Sequence, residues 1–345
     1  MKAVVLEKPC EADELVVQEV PTPKVKPGWV LVKIKAFGIN RSEIFTRQGE
    51  SPSVKLPRII GIECAGEIED PSDSSFQKGQ RVVSLMGGLG REFDGSYAEY
   101  ALIPSSQVYL IDNDLDWVEL AAIPEMYYTA YASLFDTLRL TKGETLLIRG
   151  GTSSVGLAAL QLAKSVGATV VSTTRNKEKL ELLKQNGADF ALLDDESLSE
   201  HLFSFFSNGV NKVLELVGTV TLKSSLKLLA DHGILCMTGI LGGEWVLENF
   251  EPMMDIPSGA YFTQFDSGVN FKEKLLVELF DHIGQHKINV PIAKVFPLVE
   301  IDKAHRLMES NTANGKIVVV ILNRTSEEDY KDLIGNRKIS ETKNK

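Results

Sequence analysis

The sequence predicts an α/β protein: a doubly wound parallel sheet joined to a second, β-rich domain. Three observations carry that expectation. From residue 144 onward, strand-like apolar runs alternate with helical periods. A glycine turn stands between the first of these strands and the first of these helices. The first 120 or so residues hold only short apolar runs punctuated by Gly and Pro, the pattern of a barrel or sandwich.

In the first region the runs are Ala3–Leu6, Leu15–Val20, Trp29–Ala36, Glu63–Ile68 and Arg81–Leu85. Turn chemistry such as Lys26-Pro27-Gly28 and Asp94-Gly95 separates them. Near Trp117 the pattern becomes helical, breaks at Pro124 and resumes as a longer helix. Strands are then predicted near 145–148, 169–172, 189–193, 212–216, 233–238 and 260–265. Helices are predicted near 155–166, 177–186, 197–207 and 220–230, with one more at 271–285. The last pattern, around Val295–Leu298, IDKAHRLMES and GKIVVVIL, reads as strand, helix, strand and is expected to rejoin the first domain. The predicted division is therefore 1–124 with 268–323, then 125–267, then a polar charged tail at 324–345 that is weakly ordered or a short surface helix.

A chain of 345 residues is long for one core, which supports two domains. Asp plus Glu number 47 against 37 Lys plus Arg, a net charge of −10. Such a chain has no general attraction to nucleic acid or anionic lipid, and neither is expected as a partner. The three cysteines are far apart and odd in number, so reduced thiols are expected. No apolar signal core and no run of 18 apolar residues is found, so a cytoplasmic protein without a membrane partner is expected.

The segment TLLIRGGTSSVGLAALQLAKSVGATVVSTTR, from Thr145 to Arg175, carries the most chemistry. A buried strand leads into a turn and then a helix, whose N-terminus suits an anion. Gly150, Thr152, Ser153, Ser154, Val155 and Gly156 are the candidate pyrophosphate contacts. Ser153 stands where a middle glycine is usual, and its hydroxyl and N–H are candidate phosphate donors. The second strand ends at Thr173, Thr174 and Arg175 rather than at an acid for the ribose 2′-hydroxyl. Hydroxyls and an arginine suit a 2′-phosphate, so NADPH is the expected cofactor, and Lys179 is placed to reach the same phosphate.

Several segments together resemble the medium-chain dehydrogenase/reductase superfamily over residues 1–323. They are KPGWVLVKIKA at 26–36, PRIIGIECAG at 57–66, KGQRV at 78–82, GSYAEY at 95–100 and NGKIV at 314–318. The resemblance implies a Rossmann domain beside a GroES-like, partly open barrel. Zinc members of that superfamily place Cys where Asn40 stands and His where Ile62 stands; neither residue here can supply those ligands. The chain is thus similar to the zinc-independent quinone oxidoreductase branch. That branch implies hydride transfer from NADPH to a quinone or enone, and a homodimer extended through the strand near 260–265. Residues 40–47 resemble the branch's N-x-x-[DE]-x-Y-x-R, with Phe45 in place of the tyrosine.

The candidate catalytic residues are Asn40, Arg47 and Tyr128, with Tyr261 a further possible proton donor. Gly239 and Leu241 are expected to line the nicotinamide end, and Asn314 and Lys316 to close it. Plainer readings stand beside these. Asn40 suits a turn with positive φ, Glu63 and Arg47 suit buried ion pairs, and Tyr127 and Tyr128 suit a core. His282 and His286, four apart, have metal-pair spacing but no evident third ligand. The expected function is an NADPH-dependent, zinc-independent quinone or enone reductase. A cofactor-binding redox sensor or structural protein with little turnover is the alternative, and a zinc alcohol dehydrogenase a third.

Overall fold

A computed structural model describes residues 1–269 and 271–322. One compact unit holds Met1–Glu125 and the chain from Ile292; the other holds Met126–Pro291. The charged segment 324–345 lies outside the described residues.

The first stretch carries strands β1 (Lys2–Leu6), β2 (Val17–Glu19), β3 (Trp29–Gly38), β4 (Arg58–Ile59), β5 (Glu63–Asp70), β6 (Arg81–Leu85), β7 (Tyr100–Pro104) and β8 (Tyr109–Leu110). Helix α1 (Arg41–Gln48) follows β3 and α2 (Trp117–Ala122) follows β8. Helix α3 (Pro124–Tyr131) opens on proline, whose fixed φ suits a first helical position. Then strand and helix alternate: β9 (Thr145–Arg149), α4 (Ser154–Ser165), β10 (Thr169–Thr174), α5 (Leu180–Gln185), β11 (Phe190–Leu193) and α6 (Leu198–Phe205). They continue as β12 (Val210–Glu215), α7 (Thr219–Leu226), β13 (Leu229–Met237), α8 (Pro252–Asp255), β14 (Tyr261–Gln264) and α9 (Glu273–His286). The chain closes through β15 (Ile292–Pro297), α10 (Ile301–Glu309) and β16 (Lys316–Val320).

In the second unit six strands form one sheet in the order β11-β10-β9-β12-β13-β14, every neighbouring pair parallel. Its central strands are apolar on both faces, as a helix-covered parallel sheet requires: Leu146, Leu147, Ile148, Val213 and Leu214 are all buried. The chain runs outward from β9 to β11, then returns to β12 on the other side of β9. That reversal is the switch point at which open α/β sheets bind ligands. Helix α4 buries Leu157, Ala158, Ala159, Leu160, Leu162 and Ala163 along one face.

In the first unit the strand order is β15-β16-β3-β5-β6-β8, with β7 also paired to β3, and a separate sheet runs β2-β1-β4. Strand β16 lies antiparallel to β3, with Val318 opposite Gly38, so the chain's return completes this unit's sheet. Val32, Ile34, Phe37, Tyr97, Ile317 and Val319 share its core.

Two expectations need correction. The return begins at Ile292 rather than at 268, because α9 belongs to the second unit. It buries Leu276, Leu279 and Ile283, and the neighbouring Lys272 N–H and Phe271 ring meet the hydroxyl and ring of Tyr128. Helix α7 stops at Leu226 and β13 starts at Leu229, since Leu229 pairs with Val210 in the ladder. Among the described residues no helix is long and apolar enough to cross a membrane.

Candidate functional site

The glycine turn lies at the C-terminal end of β9, at the switch point. Gly150 has φ +86, and a Cβ on Gly151 would stand 1.9 Å from Ser172 Oγ. A Cβ on Gly156 would meet the carbonyl oxygens of Gly150 and Gly151 at 2.7 Å. The turn therefore folds tightly on itself, with no room for a side chain at Gly151 or Gly156. Ser153 does not face a phosphate with its hydroxyl. It caps α4, accepting from Gly156 N–H at 3.1 Å and donating to Gly150 O at 2.9 Å. Its N–H donates to Gly150 O as well, at 3.2 Å. Of the predicted donors, the half-buried Thr152, Ser154 and Val155 remain; the last two carry first-turn amides, which lack an intrahelical acceptor.

Beneath this turn lies a polar network that sequence reasoning missed. Arg149, the last residue of β9, is buried. Its Nε and Nη2 grip Asp194 at 2.9 and 2.7 Å. Its Nη1 donates to Ser224 Oγ and Ser225 Oγ at 2.6 and 2.9 Å and to Thr221 O at 3.2 Å. Ser225 in turn donates to Glu215, whose other oxygen takes the N–H groups of Val217 and Gly218. Burial raises the Glu215 carboxyl above its usual range, against the hydrogen bonds from Ser225 and Gly218 and the charge of Arg149. An arginine closing an apolar strand was the available signal, because a buried guanidinium needs a partner.

That network changes the role of Thr173. Its hydroxyl donates to Asp194 Oδ2 at 2.9 Å and takes Gly150 N–H at 3.4 Å, so it braces the turn rather than facing a ligand. The Thr174 hydroxyl accepts from Asn176 N–H at 3.2 Å. Arg175 is exposed directly beyond β10, and Lys179 is half-buried, its ammonium lowered by burial. Gly239 and Leu241 join the same strand ends: the Leu241 N–H donates to Leu216 O at 3.0 Å. The Leu241 methyl Cδ1 lies 3.1 Å from where a Gly150 Cβ would stand.

In the first unit, three side chains, Asn40, Glu43 and Glu63, gather around the buried ammonium of Lys316. Lys316 Nζ lies 2.6 Å from Glu63 Oε1 and donates to Asn40 Oδ1 at 2.5 Å. The Asn40 amide donates to Glu63 Oε1 at 2.8 Å, and Glu63 Oε2 takes the Glu125 N–H. Glu43 accepts from the N–H groups of Asn40 and Ile62 at 2.8 and 3.2 Å. The space is so tight that a Cβ on Gly38 would stand 2.2 Å from Lys316 Cε. Asn40 has φ −124 and begins α1, so it is neither a positive-φ turn nor a free amide for a substrate. Lys316 is fully buried in this ion pair and does not line a cofactor site. Asn314 is an exposed left-handed turn at φ 57 leading into β16.

Two other catalytic candidates also prove internal. Arg47 is fully buried and paired with Glu309, tying α1 to α10. Tyr128 is buried among Phe265 and Phe271, and its hydroxyl accepts the Lys272 N–H at 2.6 Å. Tyr261 lies exposed on β14. His282 bonds Ser165 Oγ at 2.7 Å and packs on Tyr131 and Phe135. Burial pushes the Cys64 and Cys236 thiols up to about 12 and about 11, as inert packed groups. Among the described residues no group of three or more His, Cys, Asp or Glu side chains could hold a metal ion.

Residues 26–113 match the alcohol dehydrogenase GroES-like domain family, and residues 154–261 the zinc-binding dehydrogenase family. A quinone oxidoreductase of Rattus norvegicus is 33% identical over 309 residues, 88% of this chain and 92% of its own length. The chain belongs to the medium-chain dehydrogenase/reductase superfamily, in its quinone oxidoreductase branch. A mycobacterial member of known structure, complexed with NADPH, is 27% identical, with a TM-score of 0.81 over 93% of this chain and 99% of its own. A 2-haloacrylate reductase is 25% identical, also with a TM-score of 0.81 over 93% and 99%. As a quinone oxidoreductase homologue, the chain is an NAD(P)-dependent oxidoreductase acting on a small molecule.

Burial lifts the Glu43 carboxyl from 4.5 to about 7; Glu63 adds to the rise, and Lys316 and two N–H donors oppose it. A carboxyl raised on folding keeps its proton in the native state where the unfolded chain has lost it. Stability therefore falls as pH climbs from about 4.5 to about 7 and stays reduced above. Between pH 5 and 8 the parent should lose about 2–3 kcal/mol relative to Glu43→Gln. Urea unfolding across that range checks this, and parallel curves for the two proteins would refute it.

Proposed function

We propose that this oxidoreductase uses NADPH and passes hydride, without zinc, to a quinone or another activated α,β-unsaturated carbonyl. The exposed Arg175, just past β10 and beside a glycine turn at the sheet's switch point, carries the cofactor reading. The turn fits a pyrophosphate: Gly151 and Gly156 leave no room for a Cβ, and the first-turn amides of α4 favour an anion. Arg175, with Lys179, would meet the 2′-phosphate by charge, while Gly239 and Leu241 would flank the nicotinamide end.

When bound, the nicotinamide supplies the hydride. An acceptor already poor in electrons needs no Lewis acid to receive it. Asn40 and Ile62 offer neither thiolate nor imidazole. The ammonium of Lys316 already satisfies Asn40 and Glu63, which supports a metal-free reading. The names of the quinone oxidoreductase relatives and of the haloacrylate reductase favour conjugated acceptors. Strand β14 is the sheet's last strand, and Tyr261 and Phe262 on it are exposed. A second copy pairing along this edge would extend the sheet into a homodimer.

NADPH oxidation against quinones, enones and aldehydes tests the reaction. Turnover on the first two, unchanged by a chelator, is expected, and binding without turnover on any acceptor would sink the proposal in favour of a sensor. Arg175→Ala should raise the NADPH KM about 10- to 100-fold, the loss of a charge-assisted contact, and NADH's little; equal effects on both defeat the 2′-phosphate assignment. Light scattering should give twice the 38.0 kDa of one chain, and a monomer mass rules out the dimer.

A further inference from the structure

Among the described residues, Asp194 is the acidic side chain hydrogen-bonded to the end of β10, the strand whose next residue, Arg175, would hold the 2′-phosphate. It directly follows β11, and its Oδ2 lies 2.9 Å from Thr173 Oγ1. In dinucleotide sites an acid at the end of the second strand accepts the ribose 2′-hydroxyl and excludes a phosphate; Asp194 follows the neighbouring strand but brings its charge to that same end through Thr173. Here that charge is met by Arg149, whose fork engages both oxygens of Asp194. The two side chains are almost wholly buried, at 7% and 8% exposure, so water does little to screen them. We propose that Arg149 is a specificity-determining positioning residue. By neutralising Asp194 it leaves the ends of β10 and β11 open to a 2′-phosphate, and without it the site would turn toward NADH.

This inference rests on the NADPH reading above. The remaining charges around the guanidinium fit it. Its third donor nitrogen reaches α7 through Thr221, Ser224 and Ser225, and Ser225 passes the contact to Glu215. Arg149 therefore stands between two carboxylates. Its loss leaves net negative charge beneath the glycine turn and lets the Thr173 brace on Gly150 relax.

The test measures NADPH and NADH affinity by calorimetry on the full-length protein, alongside its thermal midpoint. Arg149→Gln should lower the NADPH-to-NADH affinity ratio on the order of tenfold, the effect of one uncompensated charge nearby. Arg149→Gln with Asp194→Asn removes both charges and should return the ratio to within about twofold of the parent. A purely structural role would lower the thermal midpoint and weaken both cofactors equally. An unchanged ratio in Arg149→Gln, or no recovery in the double variant, overturns the proposal. If Arg149→Gln does not fold, Asp194→Asn alone decides: the unpaired guanidinium must raise the ratio, and no rise overturns the proposal. A parent without NADPH preference overturns both this inference and the reading beneath it. A parent that prefers NADPH and loses the preference in Arg175→Ala but not in Arg149→Gln overturns this inference alone.

Discussion

The first unit depends on the buried ammonium of Lys316. It enters on β16, the last of the described strands, and meets Glu63 at the start of β5 and Asn40 at the head of α1. Neither Lys316 nor Glu63 has exposed surface, so each is tolerable only because the other is present. Removing one partner of such a pair costs about 3–5 kcal/mol, a large share of a domain's net stability. The pair also dictates its neighbours. Gly38 must lack a side chain, Asn40 must spend its amide inward, and the Glu43 carboxyl is left in a space that favours its neutral form.

The second unit solves a different problem, that of holding a turn rigid while keeping its amides available. Close packing of Gly150, Gly151 and Gly156 sets the backbone, and Ser153 locks it from within. Arg149, Asp194, Thr173 and Glu215 then bind the ends of β9, β10, β11 and β12 to one another. A cofactor meeting this surface finds donors already aimed, so little ordering remains to oppose binding. In the proposed reading, main-chain groups would recognise the pyrophosphate and Arg175 the 2′-phosphate.

Much of this was legible in the residue order. Parallel strands buried on both faces must be apolar runs, so their alternation with helices revealed the sheet from β9 to β14. The glycine turn and Arg175 lie within one local stretch, where spacing alone carries meaning. What escaped was pairing across distance. Lys316 read as a cofactor contact, and Arg47 as either a catalytic cation or half of a buried ion pair, because a charge in a sequence does not show the partner that buries it. Ser153 read as an imperfect glycine, although its hydroxyl closes a ring within three residues. Tyr128 read equally as a proton donor and as a core aromatic, and only its packing on Phe265 and Phe271 decides for the core. The boundary at Ile292 was hidden because the amphipathic pattern of α9 fits a surface helix of either unit.

The discontinuity of the first unit has a consequence for how the protein is made. Residues 126–291 are contiguous and can fold as soon as they emerge during synthesis. The earlier-made unit cannot: β3 lacks its partner β16, and Glu63 lacks its counter-charge, until β16 has been translated. The part of this unit made before residue 126 is thus completed only after the second unit has been made. Its open sheet edge and uncompensated carboxylate must wait in solvent while the younger unit matures.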